Sequence, residues 1–170
     1  MSNKKPYYFF SLFYLIFSFY TVYDLIDFDG NYKYFLLILL ICVSTDIGGY
    51  IFGNIFKGPK LTSVSPKKTY SGMIGGYFLS IISTYIIFNY THLFLNEPKF
   101  TIDIFIFILV ISSISQIGDI IISYFKRLSK VKDTGKIIPG HGGLLDRIDG
   151  MIFAYPFAYI IFKLNLFKYF

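Results

Sequence analysis

Apolar residues fall into five long runs along this chain, and polar residues collect between them. The runs cover about Tyr7–Phe28, Tyr34–Phe56, Met73–Phe94, Ile102–Phe125 and Met151–Phe167. Each is close to the ~20 residues an α-helix needs to cross ~30 Å of hydrocarbon, where a backbone must satisfy its own hydrogen bonds. The pattern therefore predicts an all-α fold: a polytopic integral membrane helical bundle of about five transmembrane helices. The first run is long and aromatic and lacks a small-residue cleavage site, so it reads as a membrane anchor rather than a signal peptide. No internal repeat and no separate soluble domain stand out.

Composition strengthens this reading. The chain is 55% hydrophobic and 15% charged over 170 residues, and a small soluble domain that must leave much of its surface in water has little use for so much apolar area. The net charge of +6 then points to an anionic membrane surface or a phosphate ligand, and away from nucleic acid. With the N-terminus in the cytoplasm, that side holds 12 of the 16 Lys and Arg residues, against Lys33, Lys99, Lys163 and Lys168 on the other. This is the asymmetry that orients membrane helices. Two polar loops, 57–72 and 126–150, fall on the cytoplasmic side. Cys42 is the only cysteine and sits within an apolar run, so it reads as a buried, inert thiol with no disulfide to make.

Two carboxylates lie inside the apolar runs, where an ionisable group is costly and points to function. Asp119 continues a stripe of Ser112, Ser115, Gln116 and Ser123 at three- to four-residue spacing, one polar face on the fourth helix. Asp46 lies in "STDIGGYIFG", where Gly49 and Gly53 allow a helix or ligand to approach closely. The plainer alternative is that both are protonated or paired packing residues.

The segment "KDTGKIIPGHGGLLDRID", Lys132–Asp149, differs sharply from the rest. Gly140, Gly142 and Gly143 let backbone N–H groups approach an anion, and Pro139 stiffens the approach. Lys126, Arg127, Lys130, Lys132 and Lys136 supply positive charge for phosphates. Asp146 and Asp149 share one face of a helix, and hard oxygen ligands of this kind suit Mg²⁺, with Asp119 able to close on the same ion. His141 has no second His or Cys at zinc spacing, so it reads as a phosphate donor or a loop lock. The alternative is an ordinary basic juxtamembrane loop that attracts anionic lipid.

Ser123 to Asp149 reads Ser-x-x-Lys-Arg, then Lys-Asp, then Pro-Gly-His-Gly-Gly-x-x-Asp-Arg-x-Asp. This resembles the signature of the integral-membrane phosphatidate cytidylyltransferases, the CDP-diacylglycerol synthases. "DIGGYIFG" from Asp46, "SPKKTYSGMIGG" from Ser65 and "QIGD" ending at Asp119 agree with the same family, so the resemblance runs from about Tyr34 to the C-terminus. Two departures stand out. Family members are commonly longer, with more membrane helices ahead of this region, and Ser71 stands where the family usually has an acidic residue.

The resemblance implies transfer of a cytidylyl group from CTP to phosphatidate, giving CDP-diacylglycerol and pyrophosphate. It implies a catalytic membrane domain over 34–170 behind an N-terminal anchor helix over 1–33 in a bacterial inner or plasma membrane, and the charge asymmetry faces the active-site loops to the cytoplasm. Mg²⁺ is the implied cofactor, with K⁺ as a second cation. Asp119 and Asp146 are the implied metal carboxylates, Asp133 and Asp149 support them, and Asp149 alternatively ligates. Lys67, Lys68, Lys126, Arg127 and Lys132 are candidates for phosphate contacts, with Ser65, Thr69 and Ser115 as hydroxyl ligands. Gly140, His141, Gly142 and Gly143 line the substrate, and Arg147 pairs with a carboxylate or a phosphate. Membrane lipid is the expected surroundings, nucleic acid is not an expected partner, and a homodimer is allowed.

Rival readings fit less of this pattern. A CDP-alcohol phosphotransferase needs Asp-x-x-Asp-Gly-x-x-Ala-Arg, which "DRIDG" does not supply. A CTP-dependent polyprenol kinase lacks the signature found here. A shortened, non-catalytic paralogue acting as a binding or scaffold subunit is favoured by the short N-terminus and by Ser71, and opposed by the retained carboxylates and lysines.

Overall fold

The computed structural model describes residues 5–27, 32–62, 64–65, 67–90, 100–131, 133–135, 143 and 145–166. These residues form α1 (Lys5–Asp27), α2 (Lys33–Phe56), α3 (Tyr70–Tyr90), α4 (Ile102–Leu128), the single turn α5 (Leu145–Ile148) and α6 (Met151–Lys163). Four of these helices, α1 to α4, are long and apolar enough to cross a membrane. The expected bundle is present, and the chain is an integral membrane protein.

The fifth apolar run behaves differently from the other four. The helix expected over Met151–Phe167 ends at Lys163 and has 13 residues, or about 20 Å of rise, which falls short of the hydrocarbon thickness. Its first turn meets the middle of α1, where Ser18 Oγ donates to Ile152 O at 2.9 Å. The two helices run parallel from there: Tyr14 packs on Phe153 at 5.2 Å between ring centroids, and Tyr20 packs on Tyr159 at 6.4 Å. Further along, Lys163 Nζ lies 3.4 Å from Asp24. Gly118 of α4 also faces Phe153. The chain therefore turns back along the last turns of α4 before α6 begins.

The helices are held together in two ways. At the end away from the 57–69 segment, Leu37, Ile38, Ile41, Phe107, Ile108, Ile111 and Ala158 form a closed apolar core. Tyr34 and Phe107 both pack on Phe162, at 4.9 and 5.3 Å. Nearer that segment the packing becomes small and polar. Thr45 Oγ1 donates to Ser112 Oγ at 2.8 Å and joins α2 to α4. Between α2 and α3 the backbones nearly touch: a Cβ on Gly48 would run into the Gly75 carbonyl, and one on Gly72 would lie 2.7 Å from Gly49 O. Small residues at this spacing let membrane helices pack without a hydrophobic driving force. The close approach expected of Gly49 and Gly53 is present, and Gly48 is tighter than either.

Candidate active site

The glycine seam fixes where the 57–69 segment lies. Lys57 closes α2 in the left-handed region at φ 44°, with its N–H on Gly53 O at 3.2 Å. The segment returns through a bridge between Lys60 and Thr69. Thr69 Oγ1 accepts from Gly72 N at 3.1 Å at the start of α3. Ser71, where the family pattern has an acid, accepts from Gly58 N at 3.2 Å, so it closes the turn after α2.

This arrangement leaves a cleft of about 270 Å³ between α2, α3, α4 and the segment. Its polar lining is Asp46, Ser65, Lys67, Lys68, Thr69, Gln116 and Asp119, and its apolar lining includes Tyr50, Leu61 and Met73. Asp46 is exposed to this cleft and is not packed between helices. The polar stripe on α4 divides its work. Ser112 bonds Thr45, Gln116 and Asp119 line the cleft, and Ser115 is fully buried.

Lys68 Nζ donates to Asp119 Oδ2 at 2.8 Å across the cleft. On the other side of Asp119 lies the end of the second loop. Lys126 Nζ is 3.0 Å from Asp146 Oδ1 and 3.5 Å from Asp149 Oδ2, with all three side chains mostly buried. Asp146 Oδ2 also accepts from the backbone N–H groups of Thr134 and Gly143, each at 2.8 Å. Burial by itself raises the Asp146 carboxyl, but the Gly143 and Thr134 amides and the Lys126 ammonium outweigh it and hold it at about 2. Asp149 moves the opposite way, to about 7. Burial and the neighbouring Asp119 carboxylate push it up, more than Lys126 and Lys68 pull it down.

The expected site residues thus sort into three groups. Asp119 is the junction, with Lys68, Ser65, Lys67 and Thr69 on its cleft side and Asp149, Lys126 and Asp146 on its loop side. Arg127, Arg147 and Asp133 are exposed at the surface and do not line the cleft. Lys132, Gly140, His141 and Gly142 lie outside the described residues, while Gly143 is described and binds Asp146. The sequence let Asp119 close on one ion with Asp146 and Asp149, and Asp149 does lie against Asp119; that the Thr134 and Gly143 amides bind Asp146 was not expected.

Among the described residues no three His, Cys, Asp or Glu side chains form a metal cage. Mg²⁺ does not require one, because it commonly takes one or two protein carboxylates and completes its shell with water and phosphate oxygens. Two observations fit such an ion. Asp119 and Asp149 place like charges against one another, and Asp119 Oδ1 and Ser115 Oγ are buried without a hydrogen-bond partner among the described residues. The donors are all hard oxygens.

Comparison with known proteins accords with this chemistry. The model of the cytidylyltransferase family matches residues 3–165. The phosphatidate cytidylyltransferase of Staphylococcus epidermidis is 40% identical over 130 residues, which cover 76% of this chain and 48% of that protein. That of Staphylococcus haemolyticus is 41% identical over 135 residues, covering 78% and 50%. That of Rickettsia typhi is 36% identical over 142 residues, covering 82% and 61%. The chain spans about half the length of the staphylococcal relatives it matches.

Proposed function

Because the chain belongs to the cytidylyltransferase family, we propose that it transfers the cytidylyl group of CTP to phosphatidate, releasing pyrophosphate and leaving CDP-diacylglycerol in the membrane. The observation that carries this reading is the Lys68–Asp119 pair inside a cleft lined by both charged and apolar side chains. A lipid phosphate and a nucleotide triphosphate need such a place to meet.

In the proposed reaction a phosphatidate phosphate oxygen attacks the α-phosphorus of CTP, and the bond to the bridging α–β oxygen breaks as pyrophosphate leaves. A phosphate monoester has a second pKa of about 6, so the nucleophile is largely dianionic at pH 7 and requires no strong base. Catalysis then consists of alignment and charge neutralisation. Lys67 and Lys68 bind phosphates from the cleft, with Ser65 and Thr69 adding hydroxyl donors. Lys126 holds Asp146 and Asp149 in place on the loop side. Asp119 and Asp146, with Asp149 beside them, would hold Mg²⁺, which would supply a positive charge for the crowded phosphate oxygens. K⁺ as a second cation and a homodimer belong to the same proposal. So does a cytoplasmic orientation of the loop end in a bacterial inner or plasma membrane, on the 12 to 4 division of basic residues.

Labelled CTP, phosphatidate and Mg²⁺ incubated with the purified protein should give CDP-diacylglycerol and pyrophosphate. Asp119→Asn should lower the rate at least ~10²-fold, the scale on which a preorganised charge acts, with helix content unchanged. Full activity in that variant removes Asp119 from the site. A well-folded protein that gives no product favours the scaffold reading.

A further inference from the structure

The cleft carries more than phosphates and a metal require. Lys67, Lys68, Ser65 and Thr69 enter it from the 57–69 segment. α2 runs along its wall, and two side chains there have no place in phosphate chemistry. These are the Asp46 carboxylate and the Tyr50 ring, four residues apart and so on one face of the helix. Both are exposed, Tyr50 at 73%.

The contacts of α2 with α3 set their depth. Gly53 faces Thr69, Gly49 faces Gly72, and Thr45 O faces Gly76. Asp46 therefore stands about two turns, roughly 10 Å, farther into the bundle than the level of Thr69, with Tyr50 between the two. A carboxylate repels phosphate and, while ionised, offers only acceptors. Among the described residues no hydrogen bond or close ion pair reaches Asp46. The Lys68 ammonium is held on Asp119 at 2.8 Å, and Gln116 directs its Nε2 to Ser112 at 3.4 Å. An acceptor in this position, inside a membrane-spanning helix and facing a cleft, points to a ligand that donates.

We propose that Asp46 and Tyr50 form the nucleobase-reading end of the cleft: Asp46 accepts from the exocyclic amine of cytosine, and Tyr50 stacks on the cytosine ring. A carboxylate on this amine is a pairing that proteins use to read cytosine, and an aromatic face holds any base by stacking. Tyr50 thus supplies affinity, and Asp46 supplies the choice of base. Uracil carries a carbonyl where cytosine carries the amine, and would set two acceptors against each other. Both roles rest on the reading of CTP as the nucleotide substrate, and they fall to residues that the phosphate and metal chemistry leaves unused.

The test is competition against labelled CTP bound to the full chain in detergent, with Mg²⁺ and without phosphatidate, so that binding is read apart from turnover. The wild type should bind CTP at least ~10-fold more tightly than UTP. Asp46→Asn, whose amide both donates and accepts, should bring the two nucleotides within about 3-fold of one another. Tyr50→Leu should weaken both by about 10-fold and leave their ratio unchanged. A preference for CTP that survives in Asp46→Asn overturns the role of Asp46, and wild-type affinity in Tyr50→Leu overturns that of Tyr50. If Asp46→Asn does not fold, the wild type decides with N4,N4-dimethyl-CTP, which has no amine hydrogen to give. Affinity equal to that of CTP overturns the proposal, as does the absence of CTP binding. Turnover with phosphatidate is scored separately. A chain that binds CTP with Asp46-dependent selectivity and makes no CDP-diacylglycerol refutes the enzymatic reading alone. A chain that turns over with a base preference independent of Asp46 refutes the base-reading role alone.

Discussion

The two sides of Asp119 are built on different principles. On the α2–α3 side, position comes from side chains that are missing: Gly48, Gly49, Gly72 and Gly75 bring two backbones together and set the height at which Lys68 and Thr69 meet the cleft. On the α4–α6 side, position comes from charge: Lys126, two backbone amides and two carboxylates pin a returning loop to α4. Steric packing is indifferent to pH and salt, whereas a charge clamp responds to both. The lysine-bearing wall of the site is therefore expected to be rigid, and the carboxylate-bearing wall to be adjustable.

The sharpest way to break this contrast is to fill the seam. Gly48→Leu pushes a side chain into the Gly75 carbonyl, where backbone cannot yield as a side chain can. The variant should lose more than about 3 kcal/mol, seen as a collapse of folded yield in gel filtration. A well-folded Gly48→Leu protein would show that the seam tolerates separation.

On the charged side, Lys126→Ala leaves two mostly buried carboxylates without their cation. Breaking a buried pair costs about 3 kcal/mol. The helices should persist by circular dichroism while the 129–150 segment becomes rapidly cleaved by trypsin at its remaining basic residues. Unchanged protection would mean that the amides suffice to hold the loop.

Asp146→Asn retains the shape and removes the charge that its three donors address, for a loss of about 1.5–3 kcal/mol in chemical denaturation. The pH dependence follows from the same contacts. The folded-state carboxyl is held at about 2, below its ordinary value of about 3.9. Its stabilisation is complete above pH ~4 and fades as pH falls through about 2. Thermal unfolding of the wild type should weaken across that window, and the slope should be shallower in Asp146→Asn.

The smallest effect belongs to Thr45→Val, which deletes the bond to Ser112 between α2 and α4. A loss of about 1 kcal/mol, with metal binding unaltered, is the expected result. A larger loss would extend the rigid wall to include this contact.

The parts of the molecule that follow local rules could be read from the sequence. Apolar runs of spanning length gave α1 to α4, helical spacing placed Gln116 and Asp119 on one face, and Gly49 and Gly53 announced a close neighbour. The parts that depend on the path of the returning loop could not be read. Nothing local to Met151 says that its helix begins beside Ser18, and only that depth sets Asp149 against Asp119 and Gly150 over Ser115. Asp146 was legible as an acid of the site, but its two amide donors come from Thr134 and Gly143, whose approach depends on tertiary structure.

The short sixth helix has a consequence for the bilayer itself. Gly118 sits opposite Phe153 at the start of α6, ten residues before α4 ends at Leu128, a difference of about 15 Å. The loop end of the bundle is thus uneven: α4 continues about 15 Å past the level at which α6 begins. A 13-residue helix beside spans of 21 to 27 residues would give neighbouring lipids a hydrophobic mismatch, which bilayers relieve in part by local thinning.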